Sequence, residues 1–121
     1  MDLTLVGASF RPKDAKEVLA SLSEGDIVQL VREPDNAYDA NAIQIHYDDH
    51  FIGFVAKHEA AEIADSMDEI LRDDPSTTFR ARITAKPSRW SAVLSYDPED
   101  AWTYSLDTAL GRVQPDEDSE Y

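Results

Sequence analysis

Cysteine is absent from this chain of 121 residues, and glycine occurs only four times. Without cysteine the protein has neither a disulfide nor a thiolate metal site. No apolar run approaches the ~20 residues that a membrane-spanning helix needs, and no basic stretch precedes the apolar residues at the N-terminus. We therefore expect a cytoplasmic protein with no membrane partner. A chain of this length can bury roughly two thirds of its unfolded surface without cross-links.

Positive charge is also scarce. Lys and Arg number 11 and Asp and Glu number 25, which gives a net charge of −14. This charge argues against a protein that coats nucleic acid without specificity, because phosphate binding needs a local excess of cations. Residues 97–121 hold eight acidic residues and one basic residue, whereas residues 1–96 hold seventeen and ten. Residues 116–120, Asp-Glu-Asp-Ser-Glu, offer nothing apolar to bury. We expect one domain over residues 1–108 and a disordered acidic tail over residues 109–121.

Short segments of alternating apolar residues dominate the pattern. Strands are predicted over residues 3–7, 27–31, 43–47, 51–55, 79–85 and 90–96, with a possible last strand over 102–106. Apolar residues at helical spacing predict one helix between Pro12 and Gly25 and another over residues 60–71. There is no βαβ alternation and no internal repeat. The predicted fold is mainly β with two α-helices, because short strands that curl over one core most often close as a small barrel.

The most informative segment is a polar loop that runs directly into a predicted hairpin. Residues 33–43 read Glu-Pro-Asp-Asn-Ala-Tyr-Asp-Ala-Asn-Ala-Ile, and the hairpin turns at Asp48-Asp49-His50. Asn and Asp side chains can hold such a loop by bonding its backbone. Together with Gly53, this order of residues resembles the core signature of the HIRAN domain, which occurs on some DNA-remodelling helicases and as free-standing bacterial and phage proteins. The resemblance covers roughly residues 3–95 and implies an OB-like barrel with two helices.

The resemblance also implies a DNA-binding site. Tyr38 and Asp39 match residues that close over the 3′ end of a single DNA strand, with the carboxylate near the terminal hydroxyl. Asn36 matches a position near the bound nucleotide, and Phe10 matches an aromatic residue that stacks on the terminal base. Lys57 matches a lysine that contacts phosphate at the start of the second helix. Each role is chemically reasonable, since a carboxylate accepts a hydrogen bond from a hydroxyl and a ring stacks on any base.

Two kinds of observation leave alternatives open. Ser9 stands where the DNA-binding relatives use a basic residue, Phe10 replaces the usual tyrosine, and Phe54 replaces a polar or basic residue. Each matching residue also has a simpler interpretation. Asn36 and Asp39 would cap backbone amides of the loop, and Asn41 would hold the loop on the strand. Phe10 would be a core residue, and Lys57 a surface lysine.

A single basic cluster follows the second helix. It consists of Arg80, Arg82, Lys86 and Arg89. Arg80 and Arg82 share a face if residues 79–85 form a strand. We expect them to form a local positive groove with Lys57, unless they belong to an ordinary solvated strand face.

The three histidines, with Asp48 and Asp49, raise the question of a metal, but the tight turn between His46 and His50 argues against convergence. We predict no metal, no other cofactor and no enzyme, since the chain lacks a Ser-His-Asp order, a phosphate-binding glycine loop and a cysteine nucleophile. Two functions remain. One is a module that binds the 3′ end of single-stranded DNA, or distorted DNA, in repair, replication or phage defence. The alternative is an acidic protein of the same fold that docks a basic protein partner or imitates DNA.

Overall fold

The structure, a computed structural model, describes residues 1–97. Six strands and two helices make up this part of the chain. The strands are β1 (Asp2–Val6), β2 (Ile27–Arg32), β3 (Ile43–Tyr47), β4 (His50–Val55), β5 (Phe79–Ala85) and β6 (Val93–Ser95). The helices are α1 (Lys13–Ser21) and α2 (Lys57–Asp73), and a 3₁₀ turn covers Ala8–Phe10.

The strands close into a barrel in the order β1-β4-β3-β2-β5-β6, and every neighbouring pair is antiparallel. The short strand β6 completes the ring by pairing with both β1 and β5. The prediction of a small β-barrel with two helices is therefore confirmed. No helix within residues 1–97 combines the length and the apolar character needed to cross a membrane.

The period-two pattern of the sequence determines which side chains enter the barrel. Leu3 and Leu5 of β1 are buried, as are Ile43 and Ile45 of β3, while the residues between them face outward. The helices add apolar residues from one face each. These are Ala15 and Leu19 of α1 and Ala60, Ile63, Ala64 and Met67 of α2. One continuous core thus fills the barrel and extends under both helices.

The last predicted strand within the described residues is shorter than expected. Residues 90–96 were predicted as one strand, but β6 covers only three of them and the Trp90 side chain is 43% exposed. Pro87 ends the preceding ladder because it has no amide to donate. Ser88 and Ser91 then form a turn, in which the Ser91 amide donates to the Ser88 carbonyl at 3.4 Å. The possible strand over residues 102–106 and the predicted tail over 109–121 lie outside the described residues.

Tyr96 is the largest fully buried side chain, and its hydroxyl has no hydrogen-bond partner within residues 1–97. Burial, followed by the nearby charge of Asp97, raises the pKa of Tyr96 from 10.0 to about 12. Above pH 10 the unfolded chain therefore loses this proton while the folded chain retains it, and the free energy of unfolding falls as the pH rises toward 12.

Tyr96→Phe should consequently leave stability at pH 7 unchanged or slightly higher, because no hydrogen bond is lost. Between pH 10 and 12 the free energy of unfolding of this variant should also fall by roughly 2 kcal/mol less than that of the wild-type protein. Urea melts at pH 7 and between pH 10 and 12 check both expectations, with Tyr38→Phe at an exposed position as the control. A marked loss of stability at pH 7 would show that the hydroxyl is bonded after all.

Candidate nucleic-acid interface

The loop between β2 and β3 is held by its own polar side chains. The Asn36 Oδ1 atom accepts hydrogen bonds from the amides of Tyr38 and Asp39, at 2.8 and 3.0 Å. The Asp39 Oδ1 atom accepts one from the amide of Asn41 at 2.9 Å. Both Asn36 and Asp39 thus have the backbone-capping role that the sequence suggested. Within residues 1–97 the Oδ2 atom of Asp39 makes no hydrogen bond of its own, so the capping role leaves one carboxylate oxygen for a ligand.

Two aromatic rings stand out from the described surface. Tyr38 is 94% exposed and Phe10 is 88% exposed, far more than the next large apolar side chain. The interpretation of Phe10 as a core residue is therefore wrong. Ala8 fills the buried position of the 3₁₀ turn instead, and the turn directs Phe10 to solvent. Rings exposed to this extent bury almost no apolar surface in the folded chain and are available for stacking.

Strand pairing shows how these residues are arranged around β4. Gln44 of β3 pairs with Phe54 of β4, so the loop before Ile43 and the helix after Val55 leave the barrel at the same end of this hairpin. On the other side of β4, Val6 pairs with Phe54, and the chain continues into the turn that carries Phe10. The loop, the 3₁₀ turn and the start of α2 therefore all flank one strand.

Lys57 is the first residue of α2 and its side chain is exposed. The start of the helix is fixed to β1 at two points: Ala56 donates its amide to the Thr4 carbonyl at 2.9 Å, and the Glu59 carboxylate accepts from the Thr4 amide at 2.6 Å and its hydroxyl at 3.1 Å. No side chain caps the helix N-terminus. Lys57 thus projects from a fixed position beside amides that suit an anion.

Arg80 and Arg82 lie elsewhere on the barrel. They share the outer face of β5, as predicted, because Phe79, Ala81 and Ile83 face inward. However, β4 and β5 are three places apart in either direction around the ring. The expected groove between these arginines and Lys57 is therefore not formed.

Arg80 instead helps to line an open depression of about 680 Å³ between β2, β3 and β5. Lys86 is half-buried, and its ammonium group is used within the fold. It donates to the carbonyls of Leu19 and Arg89 at 2.8 and 3.2 Å, and burial lowers its pKa.

A cluster of aromatic side chains and one arginine covers the outer face of β3 and β4. The sequence did not predict this cluster. His46 stacks on Phe51 with ring centroids 5.3 Å apart, and Phe54 meets Phe51 edge-on at 5.0 Å. The Arg11 guanidinium lies 3.6 Å from the Phe51 ring centroid, and its Nε atom donates to the Phe51 carbonyl at 3.0 Å. Burial, and then the charge of Arg11, lowers the pKa of His46. Arg11 directly follows Phe10 in the sequence, so the residue that carries this cation is the neighbour of the exposed ring in the chain.

Two further residues missed from the sequence hold the loop from outside. Arg32, at the end of β2, donates to the carbonyls of Ala40 and Ala42 within the loop. Gln44 donates to the Glu33 carboxylate at 2.8 Å, and the same carboxylate oxygen accepts from the Asn36 side chain at 3.3 Å. The only advance signal for Arg32 was a charged residue at the end of an apolar strand.

The histidines do not converge. His46 bonds the Gln44 side chain and His50 bonds the Asp48 carbonyl, while His58 is exposed on α2. Within the part of the chain that the structure describes, no three His, Asp or Glu side chains are grouped so that they could hold a metal ion.

Comparison with known proteins places this geometry in a family. The family model of the HIRAN domain matches residues 1–107. The fold is similar to the crystal structure of a protein from Lactobacillus plantarum, with a TM-score of 0.65 and 26% identity over 77% of this chain and 85% of that chain. It is also similar to the crystal structure of the HIRAN domain of human HLTF, with a TM-score of 0.59 and 21% identity over 78% of this chain and 69% of that chain. No curated protein matches the sequence. The chain belongs to the HIRAN domain family, known as a DNA-binding module, and this membership supports nucleic-acid binding in general.

Proposed function

We propose that this HIRAN domain binds single-stranded DNA at its 3′ end, or a distorted DNA structure that presents a similar end, and that it acts by binding rather than by catalysis. DNA repair, replication and phage defence are the settings that such an activity would serve. The observation that carries the proposal is the placement of two almost fully exposed rings, Phe10 and Tyr38, on hydrogen-bonded segments that flank the same strand.

The loop supplies the means to distinguish an end from an internal linkage. Phe10 would stack on the terminal base and Tyr38 would cover the terminal nucleotide, since base stacking needs only a ring face. The Oδ2 atom of Asp39 would accept a hydrogen bond from the terminal hydroxyl while Oδ1 remains bonded to the Asn41 amide. Asn36 would hold the Tyr38 and Asp39 amides in place. A carboxylate at this position repels a phosphate, so a hydroxyl end is favoured.

Cations on the segments that flank β4 would hold the adjoining phosphates. Lys57 is exposed at the start of α2. Arg11, two positions after Ser9 in the sequence, supplies a positive charge that Ser9 lacks. The Nε atom of Arg11 and its guanidinium face are engaged by Phe51, which fixes the group and leaves its two terminal nitrogens for phosphate. We leave Arg80 and Arg82 out of this site because they lie across the barrel from β4.

Three labelled single strands of one sequence test the proposal: a linear strand with a 3′-hydroxyl, the same strand with a 3′-phosphate, and a circular strand. At low salt we expect the hydroxyl strand to bind about tenfold more tightly than either of the others. With two phosphates neutralised, log K should fall with log[salt] at a slope of roughly −1.4. Equal affinity for the linear hydroxyl strand and the circle would refute end recognition.

An acidic ridge on α2 supports a second candidate function. Glu62, Glu69 and Asp73 are all exposed, and their spacing puts them on one side of the helix. Such a surface suits a basic protein partner. If none of the three strands binds at low salt, while a lysine-rich probe peptide binds and loses affinity on Glu62→Lys and Glu69→Lys substitution, this alternative is favoured.

A further inference from the structure

Arg32 makes four hydrogen bonds with one guanidinium group, and its side chain is only 5% exposed. The Nε and Nη2 atoms donate to the two carboxylate oxygens of Asp68 at 2.8 and 3.0 Å. The Nη1 atom donates to the Ala42 carbonyl at 2.8 Å, and Nη2 also donates to the Ala40 carbonyl at 3.0 Å. A planar fork can bond a carboxylate with one edge and carbonyls with another, whereas an ammonium group cannot reproduce this pattern.

These bonds join two elements that carry different parts of the proposed site. Ala40 follows Asp39 directly, so the bond to its carbonyl also restrains the backbone of Asp39, whose carboxylate would recognise the 3′ end. Asp68 lies on α2, eleven residues and about 16 Å along the helix from Lys57. The other end of the helix is already tied to β1 through Glu59 and Thr4. With both attachments in place, α2 cannot tilt or slide relative to the loop without breaking charge-assisted hydrogen bonds.

We propose that Arg32 and Asp68 are positioning residues that set the separation between Asp39 and Lys57 and thereby determine the selectivity of the site for a hydroxyl end. The proposal rests on the function proposed above. The sugar of one nucleotide keeps the terminal hydroxyl and the preceding phosphate within a narrow range of distances, so both are recognised together only if the loop and the helix keep their spacing. Stacking on Phe10 tolerates a looser arrangement, because it needs only a ring face.

The test compares Asp68→Asn and Arg32→Lys with Asp65→Asn. The control removes the same charge from the same helix, but at an exposed residue with no bond to the loop. We expect both test variants to lower the ratio of hydroxyl-end to phosphate-end affinity about tenfold, while affinity for the circular strand changes less than about twofold. Asp65→Asn should leave the ratio unchanged. A ratio that survives in Asp68→Asn and Arg32→Lys overturns the proposal.

A second control separates positioning from general loss of structure. Met67→Ala removes a buried core side chain of α2 next to Asp68 in sequence. Denaturant melts of the two variants identify buffer conditions in which Met67→Ala has the same free energy of unfolding as Asp68→Asn. The ratio of hydroxyl-end to phosphate-end affinity of Met67→Ala is measured under those conditions. An equal loss of ratio in Met67→Ala would mean that any weakening of α2 has this effect, which also overturns the proposal.

Hydrogen exchange without DNA distinguishes failure of this inference from failure of the proposed function. Asp68→Asn, but not Asp65→Asn, should accelerate exchange at the amides of Tyr38, Asp39 and Asn41. In the wild-type protein these amides donate hydrogen bonds to side chains of the loop. If the wild-type protein shows no end preference, the proposed function fails and the selectivity role fails with it; faster exchange in Asp68→Asn would then still establish that Arg32 holds the loop. Unchanged exchange would refute the positioning role whatever the wild-type protein binds.

Discussion

Asp39→Asn should lower the preference for a 3′-hydroxyl strand over a 3′-phosphate strand by about tenfold, which abolishes it. A factor of ten corresponds to ~1.4 kcal/mol, close to the lower end of the ~1.5–3 kcal/mol that a hydrogen bond to a charged group contributes. Stability should change little, because the Oδ1 atom of an asparagine can still accept the hydrogen bond that the Asn41 amide donates to Asp39. A titration with both strands and a denaturant melt, performed on the same preparation, measure the two effects separately.

The matched control is Asp35→Asn. Asp35 is an exposed residue of the same loop, so this change removes one negative charge near the site without touching the proposed reading group. It should raise the affinity for both strands slightly and equally, as expected when a repulsive charge is removed. If Asp39→Asn behaves in the same way as Asp35→Asn, or costs stability with no effect on selectivity, then Asp39 serves only to cap the loop.

Gly53→Ala should destabilise the protein by about 3 kcal/mol, since adding a methyl group to a filled core forces neighbours to move. A Cβ atom at this position would lie 2.8 and 2.9 Å from two side-chain atoms of Leu5 and 2.9 Å from the Val6 carbonyl oxygen. The leucine can change rotamer, but the carbonyl belongs to β1, which is paired with β4 on that side. The reason for glycine here is close approach between strands.

A urea melt of Gly53→Ala measures this effect, with Ser95→Thr as the control. That control also adds one methyl group to a strand, but at an exposed position on β6. We expect a lower denaturant midpoint for Gly53→Ala with an unchanged slope, and little change for Ser95→Thr. A loss below about 1 kcal/mol in Gly53→Ala would show that β1 can shift away from β4 at low cost.

The strands and helices were predictable because their signals are local. Alternation at residues 43–47 and 79–85 identified β3 and β5, and apolar spacing identified both helices. The signal failed near Trp90, where alternation continues through a turn that Pro87 and two serines impose. Alternation alone does not reveal whether the backbone has a ladder to pair with.

The candidate site divides in the same way. The capping roles of Asn36 and Asp39 follow from side-chain chemistry within a few residues, and the sequence predicted them. The contact of Arg11 with Phe51 spans 40 positions, and that of Arg32 with Asp68 spans 36. The separation of Lys57 from Arg80 depends on the order of strands around the ring. Such relations are set by tertiary pairing, which composition and spacing do not encode.

Closure of the barrel also limits how this protein can meet any partner. Each of the six strands within residues 1–97 is paired on both sides, since β6 joins β1 to β5. A peptide or a second copy of the chain therefore finds no strand on this part of the molecule with a wholly unpaired edge, which disfavours both strand addition as a binding mode and a common route to aggregation. Recognition falls to side chains and to the segments between strands. Substitutions in those segments should thus change what the domain binds more readily than substitutions within the strands.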